Sequence, residues 1–504
     1  MGEKVTCVVP LNRVEGDLEI RVSINDHIVD DSWSSGTMFR GFEKIMQGRG
    51  ALDGLVITPR ICGICCISHL SAAATALDMI AGIDIPDNAL RIRNIATMVE
   101  HIQSDVRHYS LMFAPDFINP SYQKNSLFQE AFQRYEPFKG QVVIDTIKET
   151  KRVLEIIAIF GGQWPHTSFM VPGGIASIPS INDICLARQI LSRFRKWYEK
   201  RFLGCSIERW NAVKSVSDFE NWLAEDESHL NSEVGFYTRF SREAGLNKIG
   251  MGYGNFISFG AFGLPKDTEV RGVSNGLKFV PAGFVSVAGE KSFIQQMIAE
   301  DISHSWFQGP DEAQHPFQGS TIPYATGKES QKYSWAKAPR YDGLPSETGP
   351  LAEAVIRRDP LFSEMIGKDG SSVFARELAR LVRPALFLPI IDAWLSELDL
   401  EGQKYYIPPK PITQGEGFGL IEAARGALGH WVKLNNGKIT HYQIITPTAW
   451  NGSPRDSKGV RGPWEEALIG TEVRDIDNPI EIGHVIRSFD SCMVCSVHAI
   501  RREK

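Results

Sequence analysis

Residues 60–70 read RICGICCISHL and residues 490–500 read DSCMVCSVHAI. Each stretch holds a Cys-x-x-Cys turn, Cys62 with Cys65 and Cys492 with Cys495, and each has a histidine, His69 or His498, about one turn beyond. Such a turn brings two thiolates close enough to share one soft metal, and two turns supply four sulfurs. Spacing alone leaves several readings open. Structural zinc ribbons keep their pairs within roughly 12–20 residues, because the ion staples a small local fold. Here the pairs stand 430 positions apart, so a shared site would tie the two ends of a large protein together. A redox dithiol is a second reading, although neither pair has the βαβ context that goes with it. Two unrelated pairs are a third. The histidines are placed to hydrogen-bond a coordinated sulfur or to ligate a neighbouring metal, which is how outer residues tune a metal site.

The elements that must position these turns are short strands and long helices. Residues 5–30 alternate apolar and polar side chains, as in LEIRVSIND, and predict strands with a turn at Asn25-Asp26. From 88 to 114 apolar residues recur at three and four positions, which predicts a long helix starting after Pro86. The same periodicity predicts helices over 143–159, 183–203, 206–225, 371–382 and 388–399, with Pro384 and Pro389 breaking the apolar run between the last two. The Gly- and aromatic-rich stretch 247–290 and the stretch 308–350 read as irregular loops with short strands. Nothing in composition divides the chain. The expectation is an α+β fold, one large unit over residues 1–504 with a central bundle of long helices and peripheral antiparallel strands.

A chain of 504 residues, 43% hydrophobic and 23% charged, has ample material for a core. A net charge of −6 without a long basic run argues against nucleic acid as a partner. The start, MGEKVTCVVPLNRVEGDLEI, lacks the basic and then apolar profile of a secretory signal. No stretch approaches ~18 uninterrupted apolar residues. A cytoplasmic protein is expected, meeting the cytoplasmic face of a membrane only through partners. Eight cysteines are too few for a disulfide scaffold and favour metal or redox chemistry in a reducing compartment. Cys7, Cys185 and Cys205 stand alone and read as buried packing residues.

Eight motifs in order then carry a resemblance: NRVEGDLEI at 12–20, FRGFEKIMQGR at 39–49, RICGICCISH at 60–69, EDISHSW at 300–306, KYSWAKAPRYDG at 332–343, EAARGALGHW at 422–431, TPTAWNGSPRD at 446–456 and RSFDSCMVCSVHA at 487–499. Over nearly its whole length the sequence resembles the large, catalytic subunit of nickel-iron hydrogenases. The resemblance implies that Cys62 and Cys492 are terminal nickel ligands. Cys65 and Cys495 then bridge nickel to an iron carrying cyanide and carbon monoxide. The implied reaction is reversible heterolytic cleavage of H2, in which the Cys492 sulfur takes the proton first and Glu15 carries it on. By the same match Arg425 lies over the metals near a cyanide, Thr448 donates to the other cyanide, and Asp116 and Asp490 hold Arg425 in place. His69 would hydrogen-bond a bridging sulfur. A magnesium ion would be held by Glu43, the backbone carbonyl of Ile444 and His498, with waters.

The four cysteines left over are scattered, so electrons would leave through iron-sulfur clusters in a separate small subunit. Further implied partners are nickel-insertion factors and a maturation endopeptidase that cuts after His498 and removes 499–504. A dimer or higher oligomer of heterodimers is the expected assembly. H2 oxidation is the expected direction. A hydrogen-sensing subunit of the same architecture is the alternative, because Ser491 and Ala424 stand where the family often has proline, changes associated with the cyanobacterial-uptake and hydrogen-sensing branches. Cys66, directly after a bridging ligand, should point elsewhere.

Overall fold

The computed structural model describes residues 4–270, 278–310, 312–327, 330–398, 400 and 404–493. Long helices build its centre. Val373–Ser396 packs on Asp87–Arg107 and Ile181–Tyr198, and Gln141–Val153 packs on the latter two. The Asp87–Arg107 helix is buried almost all round, polar residues included. Three of its charges are paired, Arg93 with Asp78 at 2.6 Å, Arg91 with Glu397 at 3.1 Å, and Asp105 with Nη2 and Nε of Arg383 at 2.7 and 2.9 Å, while Glu100 accepts from Ile67 N–H and Ser68. Buried pairs of this kind cost several kcal/mol, roughly 3–5, when one partner is removed, because the other charge is stranded.

The segment 371–399 was expected as two helices and is one, Val373–Ser396, with Pro384 and Pro389 inside it. A proline removes an N–H from the i→i−4 ladder and normally breaks or kinks the helix. Beside Pro384 the Tyr198 hydroxyl donates to Leu381 O at 2.8 Å and is itself held by the Ala385 backbone, so a side chain inserts into the ladder where the helix would open. The reverse happens over 206–225. Ser215 accepts from the Asp218 N–H and starts a new helix, leaving Ile207–Trp210 and Val216–Glu225 as two pieces. Cys185, expected to be buried, is exposed, and Cys7 and Cys205 are half-buried.

The strands are antiparallel and peripheral, so the fold is α+β as expected. Among the described residues three sheets have three strands each: Lys4–Pro10, Leu18–Asn25 and Ile28–Gly36; Phe256–Gly263, Lys278–Ser286 and Gly289–Lys291; Gly415–Ala423, Gly426–Asn435 and Lys438–Ile445. The first hairpin turns at Asp26-His27, one residue later than expected, with both residues at positive φ as a two-residue hairpin loop demands. Strand Gly415–Ala423 lies against helix Cys66–Ala81. That approach needs glycine: a Cβ on Gly419 would overlap the Ala72 carbonyl, and one on Gly417 would lie 2.6 Å from that of Ala76. The two ends of the chain also meet. Glu15 N–H donates to Ser491 O at 3.3 Å and Met493 N–H donates to Glu15 O at 2.6 Å, a parallel bridge between segments from opposite ends. Among the described residues no helix is long and apolar enough to cross a membrane.

Candidate metal centre

Cys62 follows the turn Thr58–Arg60, Cys65 immediately precedes helix Cys66–Ala81, and Cys492 follows helix Ile480–Ser488. The three sulfurs lie within 4.8 Å of one another, and all three residues are buried. The Cys62 and Cys492 sulfurs are 3.7 Å apart, far beyond a disulfide bond, so they are thiols gathered at one point. The Ile64 N–H donates to the Cys62 sulfur at 3.4 Å, a contact that favours thiolate. Cys495, His498 and 499–504 lie outside the described residues. Cys66 does turn away from the cluster: its sulfur accepts from the His166 N–H at 3.4 Å, and burial pushes its pKa up.

Arg425 stands at the two-residue tip of the hairpin formed by Gly415–Ala423 and Gly426–Asn435. Gly426 has φ +118, and a Cβ there would overlap Thr348, so only glycine lets the strand leave the tip in this direction. Arg383 braces the tip by donating to Ala424 O at 2.6 Å. The Arg425 Nε lies 3.0 Å from both the backbone oxygen and the Oδ1 of Asp490. Burial opposes its charge, but Asp490 and the thiolates of Cys492, Cys65 and Cys62 outweigh that and raise its pKa. Burial likewise works against ionised Asp490. The Arg425 and His108 charges overcome it, and the Asp490 pKa falls below the usual carboxylate range.

Asp116 does not hold Arg425. It pairs instead with Arg13 and Arg487, and Arg487 also grips Asn12 through O and Oδ1 at 3.1 and 2.9 Å. Two guanidinium groups converge on Asp116, while Arg425 already has Asp490. The effect of Asp116 is to clamp the Arg13-Val14-Glu15 loop onto the helix that leads to Cys492. Glu15 is half-buried beside the thiols. Burial raises its pKa, the Cys62 and Asp490 charges raise it further, and Arg425 opposes them.

His69, one turn into the helix that begins after Cys65, ends a string of three side chains. Its Nδ1 lies 3.1 Å from His430 Nε2, and His430 Nδ1 lies 2.9 Å from the Tyr442 hydroxyl. If Tyr442 donates, His430 Nε2–H donates to His69 Nδ1 and the His69 proton sits on Nε2. That Nε2 is buried without a partner among the described residues, and burial lowers the His69 pKa to about 4, so the ring is neutral. Thr448 Oγ1 accepts from Cys492 N–H at 3.2 Å, which leaves its own proton to donate elsewhere.

Glu43 meets Ile444, but through the Ile444 N–H, which donates to Oε1 at 2.9 Å; the resemblance calls for the carbonyl. An N–H and a carbonyl of one strand residue point to the same edge, so the Ile444 carbonyl leaves the strand on the side of Glu43. Glu43 Oε2 accepts from Thr321 and lies 3.6 Å from Lys337 Nζ, which also contacts Glu300 at 3.3 Å. Oxygen donors of this kind suit a hard cation.

The profile of the family described as nickel-dependent hydrogenase matches residues 40–133 and 142–498. The chain belongs to the nickel-dependent hydrogenase family. This hydrogenase chain is 30% identical to the periplasmic [NiFeSe] hydrogenase large subunit of Desulfomicrobium baculatum, over 100% of this chain and 96% of that protein. It is 28% identical to the uptake hydrogenase large subunit of Rhodobacter capsulatus, with the same coverage. The solved Ni-Fe-Se hydrogenase of D. vulgaris Hildenborough in the reduced state superposes with a TM-score of 0.82 at 28% identity, over 98% of this chain and 100% of that one. The chain is thus a hydrogenase large subunit, and a small subunit is its partner.

The hydrogenase site fits its metal. Soft thiols converge, and two buried donors among the described residues, His69 Nε2 and Arg425 Nη1, lack hydrogen-bond partners beside them. Sequence reasoning missed His108, Glu377, Arg380, His430, Tyr442, Arg13 and Arg487. His430 lies in the same motif as Arg425, but strand Gly426–Asn435 is buried on both faces, so alternation gave no inward side to read.

Proposed function

We propose that Cys62, Cys65, Cys492 and Cys495 hold a nickel-iron centre with cyanide and carbon monoxide on the iron, and that the chain splits H2 in the uptake direction. Electrons pass to an iron-sulfur small subunit. The observation that carries this reading is the convergence of thiols from both ends of the chain on one buried point beside Arg425. The names of the relatives support the direction, since one is an uptake hydrogenase.

Bound there, the metal pair supplies a soft, redox-active acceptor for the two electrons of H2. The protein supplies the rest. Cys492 Sγ receives the proton, and the Glu15 carboxyl, whose pKa is raised and whose side chain is half-buried, passes it outward. Arg425 offers a fixed planar cation in a dry pocket, where it stabilises developing negative charge. Thr448 Oγ and His69 Nε2 donate to the groups around the thiolates. Glu43, the Ile444 carbonyl and His498 would hold magnesium, and cleavage after His498 would follow nickel loading.

Co-expression with the small subunit, followed by elemental analysis and infrared spectroscopy, tests the reading. One nickel, one iron and cyanide and carbon monoxide bands per chain are expected. Stoichiometric zinc without nickel refutes it.

A further inference from the structure

Arg425 is not held by Asp490 alone. His108 Nδ1 lies 3.0 Å from Asp490 Oδ1, the same oxygen that Arg425 approaches. Arg380 Nε lies 3.9 Å from the other oxygen, Oδ2. Glu377 then closes a ring, with Oε2 3.5 Å from His108 Nε2 and 2.6 Å from Arg380 Nη1. All five side chains are at most 4% exposed. The members come from four places: His108 from the end of helix Asp87–Arg107, Glu377 and Arg380 from Val373–Ser396, Arg425 from the hairpin tip, and Asp490 from the turn before Cys492.

Three features make this ring more than neutralisation of a buried charge. Asp490 has φ 55, a left-handed conformation that a non-glycine residue keeps only when its surroundings over-determine it. Arg380 Nη1 also donates to Ser488 O at 2.9 Å, which fastens the backbone two residues before that turn. His108 opens a π-helical turn, His108–Phe113, which ends the long helix and presents its ring to Asp490. Such wide turns are rare in helices and concentrate at functional sites. Cations stand on both sides of the Asp490 carboxylate, His108 and Arg425 at Oδ1 and Arg380 toward Oδ2, so charge rather than aligned hydrogen bonds favours one placement of the carboxylate and of the guanidinium beside it.

We propose that His108, Glu377 and Arg380 are positioning residues, which lock Asp490 and through it set the place of the Arg425 guanidinium over the metal centre. This rests on the reading above, in which Arg425 faces iron-bound cyanide. A guanidinium that shifts changes its interaction with cyanide, so the cyanide stretching bands report on the ring. Loss of a contact made chiefly in the transition state lowers kcat and leaves KM.

The test uses the complete heterodimer with His108→Leu and His108→Gln. His108→Leu is expected to keep nickel and iron, shift the cyanide bands, and lower kcat roughly ten- to a hundredfold with KM for H2 little changed. His108→Gln, which retains a donor, should restore bands and rate in part. Wild-type cyanide bands in His108→Leu with kcat within about twofold of the parent overturn the proposal. If His108→Leu fails to load nickel, Glu377→Gln replaces it with the same expectations. Failure of both to load, with native melting of the metal-free chains, would show that the ring serves assembly and would equally overturn positioning. Absence of cyanide bands in the wild type would instead count against the proposed metal centre itself.

Discussion

Glu15 is half-buried near Cys62, and its proton affinity is raised by burial and by the Cys62 charge. Glu15→Gln keeps its shape but cannot carry a proton. Turnover should therefore fall on the order of a hundredfold or more, with metal content intact. Near-native H2 oxidation would show that protons leave by another way. Asp116 acts one step back, through Arg13 and Arg487, on the loop that holds Glu15. The clustered residues of this region were legible in the sequence because Cys-x-x-Cys is a local pattern. The wrong assignment of Asp116 has a different origin. Which arginine a buried carboxylate chooses depends on four or five chain segments meeting, and no spacing along the chain encodes that.

At the scale of elements, helix Cys66–Ala81 is seated on a strand of glycines. Gly419→Ala should drive its Cβ into the Ala72 carbonyl and push the helix, together with Cys65 at its start, off the sheet. Overpacking of this kind costs about 1–3 kcal/mol. Lower melting together with a lower nickel content is expected, and an unchanged nickel-to-protein ratio would separate the helix seat from the metal site. Glu465 ties another pair of elements, its helix Pro463–Leu468 to strand Ile28–Gly36, by accepting from Ser34 N–H at 2.9 Å. Burial raises its pKa to about 7, against the opposing hydrogen bonds from Ser34 and Tyr333. The folded chain therefore keeps a proton that the unfolded chain has released above pH ~4.5. Stability from this group is full below that pH and is lost as pH rises through 7, by about 3 kcal/mol at most. Glu465→Gln cannot titrate, so the gap between its melting point and that of the wild type should change between pH 5 and 8. A constant gap would refute the assignment. Helix existence was readable from periodicity, but helix continuity was not: Pro384 was tolerated because Tyr198, from another helix, fills the ladder.

At the scale of the whole molecule, the metal would join the Cys62 and Cys492 segments, adding to the backbone bridge of Glu15 with Ser491 and Met493. A ligand that binds only the folded chain stabilises it by mass action, about 4 kcal/mol at a thousandfold excess over Kd. Nickel-free protein should accordingly melt lower than loaded protein, and equal melting would mean that the chain ends are held by packing alone. The α+β class was legible because buried helices and short alternating strands have different periods. The meeting of the two ends was legible only as a question raised by two matching cysteine pairs.

The backbone bridge of Glu15 with Ser491 and Met493 also sets an order in time. During synthesis Cys62 emerges 430 residues before Cys492, a wait of roughly 20–90 s at ordinary elongation rates. Throughout that interval the first cysteine pair and the Glu15 loop exist without the strand of backbone that completes them. The site cannot close before that strand has emerged, so any metal assembly waits on the Cys492 segment, whatever factors deliver the ions.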